Sequence, residues 1–259
     1  MNDVSTLRRT YKNPPVVEAV ARLKFLLPIE WNVTTPGLLY ERVRKDYPQP
    51  PEVRNAMRAD LSQTSNDGGP TSASLAFSTG PQEMVFYSEE RNRLLVVGPE
   101  GMSVHGLPPY EGWEALESRL FQSYEQIREV LPESAAFSAC SVRYINQVAI
   151  AGGAVDLGEY MTIQFVLPAA FPQQMTGFLD RIEVVYPDAP ATLAFTWASL
   201  QPQEDKPAFL LDLDLVATPP EAVDLDAIRE MLNDLKARET EAFEGLLQDK
   251  LREQFDEIH

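Results

Sequence analysis

The chain has 259 residues, 44% hydrophobic and 24% charged, and carries a formal net charge of −17. That composition suits a folded chain with one large core or two small fused units, and it excludes extended disorder. No run of about 18 apolar residues occurs, so no membrane-spanning helix is expected, and the single cysteine, Cys140, excludes disulfide frameworks and cysteine-metal clusters.

The charge is unevenly placed. Residues 1 to 60 hold ten Lys/Arg against seven Asp/Glu, net +3, so the remainder carries −20. Between Glu129 and Ile228 the basic side chains are Arg143, Arg181 and Lys206 alone. So few cations cannot neutralise many phosphates, and nucleic-acid binding through the second half is disfavoured. Acidity of this kind keeps a protein soluble or attracts a basic partner.

The opening residues, MNDVSTLRRTYKNPP, are basic with no apolar segment behind them, so no secretory signal is expected and the cytoplasm is the expected location. Residues 1–12 read as a tail that orders late. Asn13-Pro14-Pro15 launches the chain extended. Val16 to Phe25 then alternates, with Ala19, Ala21, Leu23 and Phe25 on one face and Glu18, Arg22 and Lys24 on the other, which predicts a half-buried strand. Trp31 to Asp46 has helical spacing, with Thr34 or Thr35 as a cap before Pro36.

A meander follows. Strands are expected at Val53–Thr64, Ser72–Thr79, Met84–Ser88, Arg93–Val97 and Met102–Leu107, with a turn at Ser65 to Pro70. Trp113, Leu116, Leu120, Phe121, Tyr124 and Ile127 recur at three and four, which predicts a helix laid on the meander. At Ala139 to Ile150 the chain restarts with its longest sustained alternation. A short helix capped by Asp156 is expected next, then strands at Phe178–Tyr186, Ala191–Leu200 and Phe209–Ala217. Asp224 caps a long terminal helix predicted to run to about Glu257.

The element order predicts an α+β fold: two similar halves, 13–133 and 134–259, each a strand, a helix, an antiparallel meander and a helix, forming one curved sheet with helices on one face. The repeat is in element order, not in sequence. By fold analogy the arrangement resembles the duplicated unit of the TATA-binding protein, an analogy that carries no function. The segments NPPVVEAVARLKF, VRYINQVAI and LLDLDLVA, before a long acidic helix, resemble a sporadically distributed bacterial family of similar length with no established activity. The resemblance implies structural motifs rather than catalytic ones. Patchy distribution of that kind suits genes on mobile or defence-related loci.

Candidate chemistry is sparse. Arg143, Tyr144, Asn146 and Gln147 on the central strand either line a ligand groove or satisfy neighbouring backbone and acidic groups. Asp212 and Asp214, two residues apart, either hold a divalent cation or form a solvated strand face. Ser103 and His105 share a strand face but form no nucleophile elbow, and His105 reads as a surface or half-buried histidine. Gly152-Gly153 and Asp67-Gly68-Gly69 lack the spacing of a phosphate loop.

Phe243, Leu247, Leu251 and Phe255 form a second apolar stripe on the terminal helix. A helix of about 33 residues spans about 50 Å. It either lies along the whole sheet or overhangs and buries this stripe against another chain. The residues support binding better than turnover. The expected role is a non-enzymatic protein–protein interaction or regulatory component of accessory, antitoxin or immunity type, needing no cofactor and holding a protein partner or a second copy through the terminal helix and acidic half. The rival is a small-ligand-binding protein or metal-dependent enzyme with its site in the sheet groove. A third reading is acidic mimicry of nucleic acid.

Overall fold

The computed structural model describes residues 9–64, 72–131, 136–152, 155–164, 166–204 and 206–258, with 56–64 and 72–81 described as backbone. The expected turn at Ser65 to Pro70 lies outside them. Among the described residues, nine strands form one antiparallel sheet: β1 Val16–Phe25, β2 Glu52–Thr64, β3 Ser72–Tyr87, β4 Arg93–Gly98, β5 Gly101–Gly106, β6 Phe137–Ala149, β7 Leu179–Val185, β8 Ala191–Gln203 and β9 Lys206–Ala217. Four helices accompany them: α1 Thr35–Val43, α2 Trp113–Ile127, α3 Leu225–Leu246 and α4 Asp249–Gln254. The strand order is β2-β3-β4-β5-β1-β6-β9-β8-β7. β1 and the central restart strand β6 are therefore neighbours, with Val20 opposite Arg143 and Ala21 opposite Val142.

Period-2 alternation decides the faces. Ala19, Ala21, Leu23 and Phe25 of β1 share one core with Leu116 and Leu120 of α2 and Ile228 and Leu232 of α3. The helices lie on that face. The other face carries Glu18, Val20, Arg22 and Lys24 of β1. α2 and α3 are tied by the Trp113 indole N–H, which donates to Asn233 Oδ1 at 2.9 Å.

Local detail departs from the expectations in five places. The helix start at α1 is held by Asn32, whose Oδ1 accepts the Thr34 and Thr35 N–H groups at 2.9 and 3.3 Å. Ser72–Thr79 and Met84–Ser88 merge into the single strand β3, and the polar loop before Pro207 tightens into the β8–β9 hairpin with Gln203 opposite Lys206. The short helix at Asp156 is one 3-10 turn over Leu157–Glu159, with Asp156 Oδ1 accepting from Gly158 N–H at 3.0 Å.

The fifth concerns both chain ends. The predicted terminal helix is two helices, because Leu247 turns extended at φ −90° and ψ 140° and bridges Met161. The backbone groups released there find partners: Thr162 N–H donates to Leu246 O at 2.9 Å and Gln248 N–H to Tyr160 O at 2.8 Å. α4 then turns back under residues 10–13, where Lys12 and Asn13 N–H donate to Asp256 and Phe255 carbonyls at 3.1 Å and Ile258 N–H donates to Thr10 O at 2.8 Å. So the part of the supposed tail from Arg9 to Lys12 is built into the fold.

Candidate functional site

Four polar residues of β6 were a candidate groove, and the strand separates them. Arg143 and Gln147 project from the helix-free face, while Tyr144 and Asn146 project into the core beneath α3, 3% and 1% exposed. Tyr144 shares a 2.5 Å hydrogen bond with Tyr110 hydroxyl to hydroxyl, and Lys236 Nζ sits 4.3 Å from its ring centre. Lys236 in turn donates to Glu239 Oε2 at 2.5 Å and Thr240 Oγ1 at 2.9 Å. Burial pushes the Tyr144 hydroxyl and the Glu239 carboxyl up from their ordinary values. Asn146 Nδ2 donates to Leu211 O at 3.4 Å. The four do not meet.

Arg143 makes a forked pair with Asp212, Nε to Oδ1 at 2.8 Å and Nη2 to Oδ2 at 2.6 Å. Both oxygens of Asp212 are thus engaged by a cation, which is not how a free metal ligand is arranged. Asp214 stands on the same face, its carboxyl pushed up by burial and held down chiefly by Arg143. Among the described residues no group of three or more His, Cys, Asp or Glu is placed to hold a metal ion. Cys140 is buried, and its thiol is pushed up to about 12 by desolvation, so it is not a nucleophile at neutral pH.

On the same helix-free face the fold assembles a chain that the sequence reading left incomplete. His105 of β5 is 5% exposed, not a surface residue. Its Nε2 lies 3.0 Å from Ser103 Oγ and its Nδ1 2.7 Å from Glu18 Oε1 of β1. Glu18 is 87 positions away, so no local motif could show it. Burial lowers the His105 pKa, and the histidine hydrogen bond lowers that of Glu18. The resting state is therefore a neutral imidazole donating Nδ1–H to an ionised Glu18, with Nε2 accepting from Ser103.

The order nucleophile, base, carboxylate is present, but β5 is an interior strand paired with both β4 and β1. The Ser103 N–H is taken up by the ladder rather than offered to an oxyanion. A cleft of about 180 Å³ beside Ser103 is lined by Arg22, Lys24, Glu83 and Glu100. A second, of about 280 Å³, holds Arg93 and Arg119, both bonded to Glu111. Both fall below the ~300–1,000 Å³ usual for small-molecule sites.

Acid is expected to weaken the fold through this chain. Each of the two pKa values is lower folded than unfolded, so each contributes stability that is full above the unfolded value and is lost as pH falls. For His105 the loss begins below its ordinary 6.5, and for Glu18 below its ordinary 4.5. The melting temperature of His105→Gln, followed from pH 7 to 5, should show a shallower decline than that of the parent. Parallel declines would show that His105 does not titrate in this window.

The supposed partner stripe is interior. Leu247, Leu251 and Phe255 are 2%, 0% and 4% exposed and Phe243 is half-buried, all packed into the chain's own core. Leu247, Leu251 and Phe255 are therefore out of a second protein's reach without local unfolding, while Phe243 keeps part of its surface in solvent. Exposed apolar side chains are scattered at Leu26, Leu27, Val33, Leu38 and Val53, and among the described residues they gather on one strand at the far edge of the sheet. On β7, Leu179 is 76% and Val185 74% exposed, with Ile182 and Val184 each at 44%. In the segment leading into it, Val166, Phe171 and Met175 are also exposed. Sequence alone could not single out this strand, because an edge is defined by pairing rather than by pattern. A scan against protein-family models and a search of curated proteins returned no match, so function rests on these faces.

Proposed function

We propose that this chain is a non-enzymatic protein–protein interaction or regulatory component that engages its partner through the β7 edge. One observation carries the reading: an edge strand with large apolar side chains exposed along it and, among the described residues, no strand beyond it in the sheet order. Such edges are usually blunted by charge, proline or coverage; β7 carries Asp180, Arg181 and Glu183, yet Leu179, Ile182, Val184 and Val185 stay exposed among them, and exposed apolar side chains on an edge attract another chain. The charge pattern supports a protein partner over nucleic acid. Arg143, Arg181 and Lys206, the cations between Glu129 and Ile228, are each paired with a carboxylate, Asp212, Glu183 and Glu204 respectively. An accessory, antitoxin or immunity role on a mobile or defence-related locus belongs to the same proposal and draws on the family resemblance. So does internal duplication, which draws on the strand order: in each half the first strand lies beside the last strand of its own meander.

The test is capture from native lysate with the parent chain and with Ile182→Lys/Val185→Lys. Exposed substitutions of this kind shift stability by no more than about 0.5 kcal/mol, so the variant should melt as the parent does. A stoichiometric protein held by the parent and lost by the variant is the expected result. Equal capture by both removes β7 from the reading. A rival site beside Ser103 would instead show as a small molecule that raises the melting temperature of the parent and not of Ser103→Ala.

A further inference from the structure

We propose that in the free protein the β7 edge is occupied by β7 of a second copy, across a two-fold axis at Ile182. This rests on the reading above that β7 is the interaction surface, and it names the occupant. Backbone geometry comes first. Along the β7–β8 ladder, Ser199 N–H donates to Phe178 O and Tyr186 N–H to Ala191 O, at 3.0 and 2.9 Å. The even-numbered residues of β7 thus turn their peptide groups toward β8, and the register between those two bonds is unbroken. Leu179, Arg181, Glu183 and Val185 therefore turn theirs outward.

A two-fold axis at Ile182 places Arg181 opposite the partner's Glu183 and Leu179 opposite the partner's Val185. Those are all outward-turned residues, so each such pair exchanges two backbone hydrogen bonds. Ile182 faces its own copy as a non-hydrogen-bonded pair, and Asp180 meets the partner's Val184, so no like charges oppose. Charge selects this register over its neighbours. Centring on Arg181 sets two arginines face to face, and centring on Glu183 sets two glutamates face to face. Arg181 and Glu183 project from the helix-free face, as shown by the pairing of Ile182 with the core residue Phe195. An axis normal to the sheet keeps both copies' helices on one side and doubles the nine-stranded sheet into a continuous one.

The experiment is sedimentation equilibrium on the parent chain, Arg181→Glu, Glu183→Arg and the double exchange. The parent should have twice the 29.0 kDa chain mass. Each single variant opposes like charges at two positions and should dissociate on the order of 10-fold more readily. The double exchange should restore the dimer. An equimolar mixture of the two single variants should form a heterodimer, because each then supplies the charge the other lacks. A monomeric parent overturns the pairing, and so does a dimer indifferent to all three substitutions. If the parent is monomeric yet still captures a lysate protein that Ile182→Lys/Val185→Lys loses, only the self-pairing has failed. If it is monomeric and captures nothing, the interaction reading fails with it.

Discussion

Removing Phe243 to His259 is expected to unfold the chain rather than to release a partner from an intact fold. The deletion takes away Leu247, Leu251 and Phe255, all 4% exposed or less. Replacing one such leucine by alanine costs about 2–5 kcal/mol and one such phenylalanine about 3–5, against a total stability of about 5–15 kcal/mol for a domain. It also removes Glu244, which is 4% exposed, accepts the Tyr11 hydroxyl at 2.8 and 3.0 Å and pairs with Arg252 Nε at 3.2 Å. Tyr11 would lose in addition its edge-on contact with Phe255, ring centres 5.6 Å apart. Circular dichroism should show no cooperative melt for the truncated chain, and Phe255→Ala alone should lower stability by about 3–4 kcal/mol in urea. A truncated chain that melts cooperatively near the parent temperature would show the C-terminus to be dispensable and free to serve a partner.

What was legible in the sequence was whatever local periodicity governs. The alternation of Ala19, Ala21, Leu23 and Phe25 placed β1 and its buried face, the spacing of Leu116, Leu120 and Ile127 placed α2, and Asp224 capped α3, its Oδ1 accepting from Ala227 N–H at 2.9 Å. Three things were set by distant contacts instead. The stripe Phe243, Leu247, Leu251, Phe255 keeps a helical interval straight through Leu247, and the break there comes from pairing with Met161. Glu18 reaches His105 only because β1 inserts between β5 and β6. The exposure of β7 follows from its place at the end of the strand order, which its own residues do not encode. The separation of Arg143 and Gln147 from Tyr144 and Asn146 is of another kind. Period-2 geometry dictates it, and the alternation of Tyr144 and Asn146 with Arg143 and Gln147 already divides those four between two faces in the sequence.

Arg143→Ala should destabilise the chain by about 2–4 kcal/mol and Asp212→Asn by about 1 kcal/mol, although the two residues share one ion pair. The asymmetry comes from where each charge is left. The Asp212 side chain is 9% exposed and that of Arg143 42%, so loss of the arginine strands a carboxylate away from water, whereas loss of the carboxylate leaves a guanidinium that water can reach. Asp214 adds to the first case, because its carboxyl is already pushed up by burial and Arg143 is the foremost charge holding it down. Without Arg143 the Asp214 carboxyl rises further. A carboxyl whose folded pKa exceeds its unfolded value favours the fold while protonated and loses that contribution as pH rises through the folded value. The deficit of Arg143→Ala should therefore shrink between pH 7 and pH 5, and that of Asp212→Asn should shrink less. Urea denaturation at both pH values measures this, and equal, pH-independent losses would mark the pair as solvated. The same asymmetry bears on the helix-free face as a binding surface. Any anion that would use Arg143 must first displace a forked carboxylate from its own chain, so it is Asp212→Asn, not the parent, in which this arginine becomes available.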